Sequence, residues 1–249
     1  MQSPFGVWEV LVKELNENSQ KNGTFYFTDF LSQAEVSEVM RLFSKNEVTL
    51  FGGAEGTERM MARFGDPEAF GYEIPFPIVL LRIQPLQSKF ADALTHRDFL
   101  GALMNLGIER DVIGDIVVRE HTTYVFVEEK IAAHIENELT RVKHTQVRVE
   151  RMTETPEDVK PRFASEKLIV SSLRLDLIVA KLYHISRQTA KDIFIDGKVF
   201  INSRQCSDPS APIKEEDVLS VRGYGKFVFR QVDHETKKGN MAVTVDKYV

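Results

Sequence analysis

Apolar residues recur at three- and four-residue spacing in several stretches of this chain and alternate with polar ones in others, so both helices and strands are predicted. Near the N-terminus, Trp8, Leu11, Val12 and Leu15 make an apolar stripe over a helix at residues 7–18, with Ser3 and Pro4 just upstream and a break at Asn22-Gly23. A second helix is signalled by Ser32-Gln33-Ala34-Glu35, which has capping-box spacing, followed by Val36, Val39, Met40 and Phe43. Residues 49–51 read as a short strand. Further on, Leu175, Ile178, Val179 and Leu182 form one helical stripe, and Ala190, Ile193 and Phe194 form another. Ser186 suits the N-cap of that last helix, and Gly197 suits its left-handed stop.

Between these regions the pattern predicts strand, helix, strand, strand, helix, strand at residues 76–83, 98–106, 115–119, 122–127, 129–139 and 146–151. That order suggests a split βαβ, ferredoxin-like domain, the framework also used by RNA-recognition motifs. In its third strand Tyr124 and Phe126 share one face, while Val125 and Val127 take the other. With helices over the valines, the two aromatics are candidates for stacking on RNA bases. The glycine-aromatic signature of an RNA-recognition motif is missing around them, and such a pair also serves to pack against a neighbouring domain.

Residues 153–170 are polar, contain Pro156 and Pro161 and show little periodicity, so they are read as a linker. Strands are expected at 198–201, 218–221 and 227–230. The predicted fold is therefore α+β in three parts. A small, mainly helical domain spans 1–73, a βαββαβ central domain spans 74–152, and a domain of two helices plus a β-hairpin spans 171–249.

Composition is that of a globular protein, with 43% hydrophobic and 10% aromatic residues, and no apolar stretch approaches the length of a membrane span. The opening residues, Met1-Gln2-Ser3-Pro4-Phe5-Gly6-Val7-Trp8, lack a basic leader before an apolar run, so a soluble, cytoplasmic, monomeric protein is expected. The net charge of −5 argues against nucleic acid only if it is evenly spread. Residues 1–73 carry 6 Lys and Arg against 12 Asp and Glu, residues 74–170 carry 13 against 15, and residues 171–249 carry 13 against 10. An acidic front precedes a basic tail, which points to the tail as a nucleic-acid contact and to the front as a site for protein partners.

Candidate catalytic chemistry is sparse. Gly52-Gly53-Ala54-Glu55-Gly56 lacks the lysine and spacing of a P-loop and does not match the dinucleotide fingerprint, so it reads as a turn. His96-Arg97-Asp98 invites comparison with a kinase catalytic loop, but position 103 is leucine where a metal-holding asparagine is needed, and no glycine-rich nucleotide loop accompanies it. Asp98 fits the start of a helix whose Phe99, Leu103 and Leu106 face the core. The six histidines show no metal-ligand spacing, and Cys206, the single cysteine, has no partner for a disulfide or a cysteine-based metal site. No cofactor or metal is expected.

The cations of the tail are ordered. Arg174 and Lys181 are seven apart and Arg187 and Lys191 four apart, so each pair shares a helical face. Arg187 falls in the first turn of its helix, where backbone N–H groups and the dipole favour a phosphate. Taken singly, each charge fits a solvated basic hairpin equally well. The turn Arg222-Gly223-Tyr224-Gly225-Lys226-Phe227 joins two cations and an aromatic to permissive glycines, and suits either RNA contact or a solvated tip.

Together, Arg174-Leu175-Asp176, Ser186-Arg187-Gln188-Thr189-Ala190 and Gly197-Lys198-Val199-Phe200-Ile201-Asn202 resemble the signature of the RNA-binding domain named after ribosomal protein S-four. The RNA-binding set expected on this basis is Arg174, Lys181, Arg187 and Lys191 on phosphates, with Ser186 fixing the helix start. Gln188, Lys198, Arg204, Arg222, Tyr224 and Lys226 extend the surface. A wider resemblance is carried by residues 96–108, His-Arg-Asp-Phe-Leu-Gly-Ala-Leu-Met-Asn-Leu-Gly-Ile, by Gly114-Asp115-Ile116, and by the Gly52-Gly53 and Glu58-Arg59 region. These look like the hallmarks of the YlmH family. That resemblance implies a bacterial, cytoplasmic, non-catalytic protein with a ferredoxin-like central domain and an S-four-type C-terminal domain. It also implies binding to ribosomal RNA and tRNA on large ribosomal subunits blocked by peptidyl-tRNA, and a link with cell division. Two other classes stay open: an RNA-modifying enzyme, since Arg174-Leu175-Asp176 echoes the catalytic triplet of pseudouridine synthases, and a protein-interaction adaptor built on the acidic front.

Overall fold

The computed structural model describes residues 6–87 and 92–249. Ser3 and Pro4, read above as lying just upstream of the first helix, are outside the described residues. The chain divides into two units, the first ending at Lys160 and the second running from Pro161 to Val249.

The first unit opens with α1 (Gly6–Asn22), β1 (Tyr26–Phe27), α2 (Gln33–Leu42), β2 (Val48–Phe51), β3 (Met61–Phe64) and α3 (Pro67–Phe70). The strands form an antiparallel sheet in the order β1-β3-β2. The capping box is present at α2, where the Glu35 carboxylate accepts from the Ser32 amide at 2.7 Å and the Ser32 hydroxyl accepts from the Glu35 amide. The stripe on α1 is narrower than its sequence suggests. Val12 and Ser19 are fully buried, one above the other at seven-residue spacing, while Leu11 is 51% exposed, because a small sheet covers only one narrow side of the helix.

The unit continues with β4 (Ile78–Pro85), α4 (His96–Asn105), β5 (Ile113–Val118), β6 (Thr123–Glu128), α5 (Glu129–Glu138), β7 (Arg141–Val142) and β8 (Thr145–Met152). The five strands pair antiparallel in the order β5-β6-β4-β8-β7, so the two helix-linked segments interleave about β4. Phe99 and Leu103 of α4 and Ala132 and Ile135 of α5 bury against Leu81, Ile83, Val125 and Val127 on one face. Asp98 occupies the third position of α4, accepting from the amide and hydroxyl of Thr95 at 2.8 Å, which is the helix-start role expected of it.

The opposite face of this sheet is covered as well, and this corrects the expectation for the aromatic pair. Tyr124 and Phe126 are 5% and 1% exposed, packed with Leu80 against Phe30, Met61 and Val159. No base can reach rings that the preceding segment and the turn at Glu157–Val159 already enclose. The closeness of this packing explains the Gly52-Gly53 and Gly114-Asp115 motifs. A Cβ on Gly53 would lie 2.2 Å from the Phe126 ring, and one on Gly114 2.7 Å from Phe30. Asp115 accepts from the amides of Glu58 and Arg59 at 2.7 and 3.0 Å, and the Arg59 guanidinium donates to the carbonyls of Phe30 and Ile113. Those motif residues clasp the first 73 residues to the sheet.

The predicted linker at 153–170 is likewise corrected. Val159 is buried in the first unit, and Arg119 donates to the carbonyls of Asp158 and Lys160. Residues from Phe163 onward form a strand. Only Leu168 and Val170 of it are buried, too few to show a period-two pattern, and its partner lies some eighty residues away in sequence.

The second unit comprises β9 (Phe163–Val170), α6 (Leu175–Leu182), α7 (Arg187–Ile195), β10 (Val199–Ile201), β11 (Arg204–Gln205), β12 (Val218–Val221), β13 (Gly225–Glu235) and β14 (Met241–Tyr248). Instead of a lone hairpin, the helices lie on a six-stranded sheet ordered β11-β10-β12-β13-β14-β9. Leu175, Ile178, Val179 and Leu182 of α6 and Ala190, Ile193 and Phe194 of α7 bury against Phe227, Phe229, Val243 and Val245. Each fully buried phenylalanine here is worth roughly 1.5–3 kcal/mol. The β10–β11 turn uses Asn202 and Ser203 at φ 47° and 66°, the left-handed pair of a two-residue hairpin. Asn202 is further fixed by the Val218 amide, which donates to its side-chain oxygen.

Candidate nucleic-acid interface

Two of the expected site residues, Arg174 and Arg187, are brought together at the starts of α6 and α7, with a change of role. Arg174 is the N-cap residue of α6 and Arg187 the first residue of α7. Both reach back to Asp176, whose side chain is fully buried: Arg174 donates through Nε and Nη2 to its two oxygens at 3.0 and 3.1 Å, and Arg187 Nε donates to Oδ2 at 3.1 Å. The two arginines are therefore structural cations first, which sequence spacing did not reveal. Burial works against the charge on Asp176, yet the hydrogen bonds and charges of the two guanidinium groups outweigh it and hold the carboxyl below its ordinary value. The outer edges of both arginines stay accessible, at 34% and 52% side-chain exposure, so each guanidinium can still meet a phosphate.

Ser186 caps α7 as expected, its hydroxyl accepting from the Thr189 amide at 3.0 Å. Gly197 closes it at φ 66°. Between the helices His184 takes φ 53°, turning the chain sharply enough to bring the starts of α6 and α7 onto one carboxylate. Lys181 is exposed at the end of α6 and Lys191 half-buried on α7. Gln188 is engaged locally, donating to Asp192 at 2.8 Å, and Lys198 pairs with Asp196 at 2.8 Å, a contact that raises the lysine's pKa. Arg204 is exposed on β11.

The β12–β13 turn forms a second cluster. Arg222 lies 5.1 Å over the Phe200 ring, and Tyr224 sits 5.4 Å from Tyr183 at the end of α6. Lys226 stands 4.6 Å over Tyr248 and Lys247 5.8 Å over Tyr183. Cations held against ring faces are a common element of nucleic-acid surfaces, where both partners offer a flat or charged contact. Tyr183, Lys247 and Tyr248 were not singled out from the sequence. Tyr183 falls inside the helical motif, while the other two become neighbours only through the pairing of β14. Among the described residues no cluster of three or more metal-ligating side chains occurs, and no helix is long and apolar enough to cross a membrane.

Comparison with known proteins places this geometry in context. Residues 72–156 match the family model described as "Putative RNA-binding domain in YlmH". The chain is 30% identical over 234 residues to the "Ribosome-associated protein quality control protein P2" of Bacillus subtilis (strain 168), covering 88% of this chain and 86% of that one. The solved structure titled "Cell division protein ylmH from Streptococcus pneumoniae" is similar at 20% identity over 61% of this chain and 93% of that one, with a TM-score of 0.49. On the extent and identity of the Bacillus match, the chain is a member of the YlmH family.

Proposed function

We propose that this protein is a non-catalytic RNA-binding factor that associates with ribosomes, using an S-four-type C-terminal unit to grip structured RNA. The carrying observation is the Arg174–Asp176–Arg187 lock, which fixes two short helices so that Lys181, Lys191 and the outer edges of both arginines meet phosphates. Gln188, Lys198, Arg204, Arg222, Tyr224 and Lys226 extend that surface. Support comes from the quality-control role named for the Bacillus relative and from the RNA-binding description of the matched domain. In this reading the target is ribosomal RNA, with tRNA, on large subunits carrying stalled peptidyl-tRNA. The protein acts as a cytoplasmic monomer, and the central domain is a ferredoxin-like framework.

The test is co-sedimentation of the full chain with purified large ribosomal subunits. Lys181→Glu with Lys191→Glu should reduce binding at least tenfold while leaving the circular dichroism spectrum unchanged. Undiminished pelleting of that double variant would sink the assignment. Mass spectrometry of ribosomal RNA incubated with the protein checks the non-catalytic part, because a newly modified nucleotide would make it an enzyme.

A further inference from the structure

Gly101 lies inside α4, in helical conformation, and among the described residues nothing beyond the backbone of its own helix comes within 4 Å of where its Cβ would be. A glycine in a helix interior is less stable than alanine, since it loses more conformational freedom on folding. Neither backbone conformation nor internal packing requires it here. By contrast, Gly53 and Gly114 have aromatic rings where a side chain would go. The remaining physical use of such a glycine is to let something from outside come close to the helix backbone.

What surrounds it indicates what that is. Arg97 and Asn105, four residues to either side, are exposed on the same face of α4. With Gly101 they line one wall of an open cavity of about 550 Å³, and Arg141 of β7 and Lys143 of the β7–β8 turn line the other. That turn is braced: Lys143 takes φ 50°, Arg141 Nε donates to its carbonyl at 2.7 Å, and its ammonium pairs with Asp98 at 2.8 Å. Asp98 is committed to Thr95 and Lys143, which leaves Glu138 as the other carboxylate on the cavity wall. Three cations and an amide thus stand around the bare backbone of Gly101, with Ala102, Leu106, Leu139 and Thr140 completing the lining.

We propose that this face of α4 seats an RNA sugar–phosphate backbone, with Gly101 as the point of closest approach. Arg97, Arg141 and Lys143 bind phosphates, and the Asn105 amide donates to a phosphate or 2′-hydroxyl oxygen. This inference rests on the RNA-binding reading above and moves the contact on the first unit away from the sheet face, where Tyr124 and Phe126 are enclosed.

The experiment measures binding of the full chain to labelled, protein-free large-subunit ribosomal RNA, and separately to intact large subunits, across 50–200 mM KCl. Gly101→Gln should weaken RNA binding roughly three- to tenfold, and Arg97→Ala should do the same while lowering the salt slope by about one. Gly101→Ala should melt at the same temperature or higher, showing that the glycine does not serve folding. Affinity and slope unchanged in both Gly101→Gln and Arg97→Ala, with Lys181→Glu/Lys191→Glu still defective, would overturn this inference and leave the C-terminal site standing. Loss confined to intact subunits would identify a protein as the occupant and overturn it as well. A wild-type chain that binds no RNA removes both readings.

Discussion

Arg187, the first residue of α7, donates to the buried carboxylate of Asp176 at 3.1 Å, across eleven residues of chain. One carboxylate therefore sets the geometry of both helices. Replacing Arg174 and Arg187 together with alanine would strand it unpaired in the core. The double variant should lose roughly 2–3 kcal/mol, less than a fully buried pair would cost because both guanidinium groups are partly solvated. Urea unfolding measures this, and its outcome decides whether lost RNA binding in that variant reports contact or structure.

Lys181 and Lys191 carry no such duty. Their alanine variants should stay within about 0.5 kcal/mol of the parent in the same measurement. Each lost phosphate contact should lower the slope of log affinity against log salt by about 0.7–0.9.

Asp98 gives a pH signature. Its hydrogen bond from Lys143, reinforced by the amide and hydroxyl of Thr95, depresses its pKa to about 2. The folded value lies below that of an unfolded aspartate, about 3.9, so the stabilisation is complete above that pH and disappears as pH falls toward 2. Carboxyl carbon NMR should place the midpoint near 2. Thermal melts of Asp98→Asn should lack the part of the acid destabilisation that this group supplies between pH 4 and 2.

Phe126 is a core residue rather than a stacking platform. Phe126→Ala should cost about 3–5 kcal/mol, and RNA affinity of the fraction that remains folded should equal the parent's. Gly53→Ala should destabilise too, since its Cβ would collide with that ring and its φ is 100°.

Local signals in the sequence were sufficient where the cause of structure is local. The capping box at Ser32, the N-cap at Ser186, the stop at Gly197 and the strand–helix order of residues 76–151 all rest on neighbours within a few positions. Three features lay beyond such reading for one reason. The cover over Tyr124 and Phe126, the convergence of Arg174 and Arg187 on Asp176, and the strand at Phe163–Val170 each depend on a partner distant in sequence. Alternation showed that Tyr124 and Phe126 share a face, but nothing in it could say what lies above them. The cations of the α6–α7 surface were all identified, whereas the division between those that hold the fold and those that are spare needed the position of one carboxylate.

A fragment beginning at Ser171, the domain boundary expected from the sequence, would omit β9 and leave the eight residues of β14 as an open edge. It should aggregate, whereas a fragment from Pro161 should stay dispersed in light scattering.

The pairing of β9 with β14 has a mechanical consequence as well. Phe163 lies opposite Tyr248 and Val170 opposite Met241, so the chain enters and leaves this unit at the same end of one strand pair. Tension applied between Pro161 and Val249 loads the bonds of that ladder singly, starting at Phe163 and Tyr248. The RNA contacts proposed above lie mainly on α6, α7 and the β12–β13 turn, with Lys247 and Tyr248 of β14 beside that turn. A pull that peels β9 away would therefore free that strand before it broke the Arg174–Asp176–Arg187 lock.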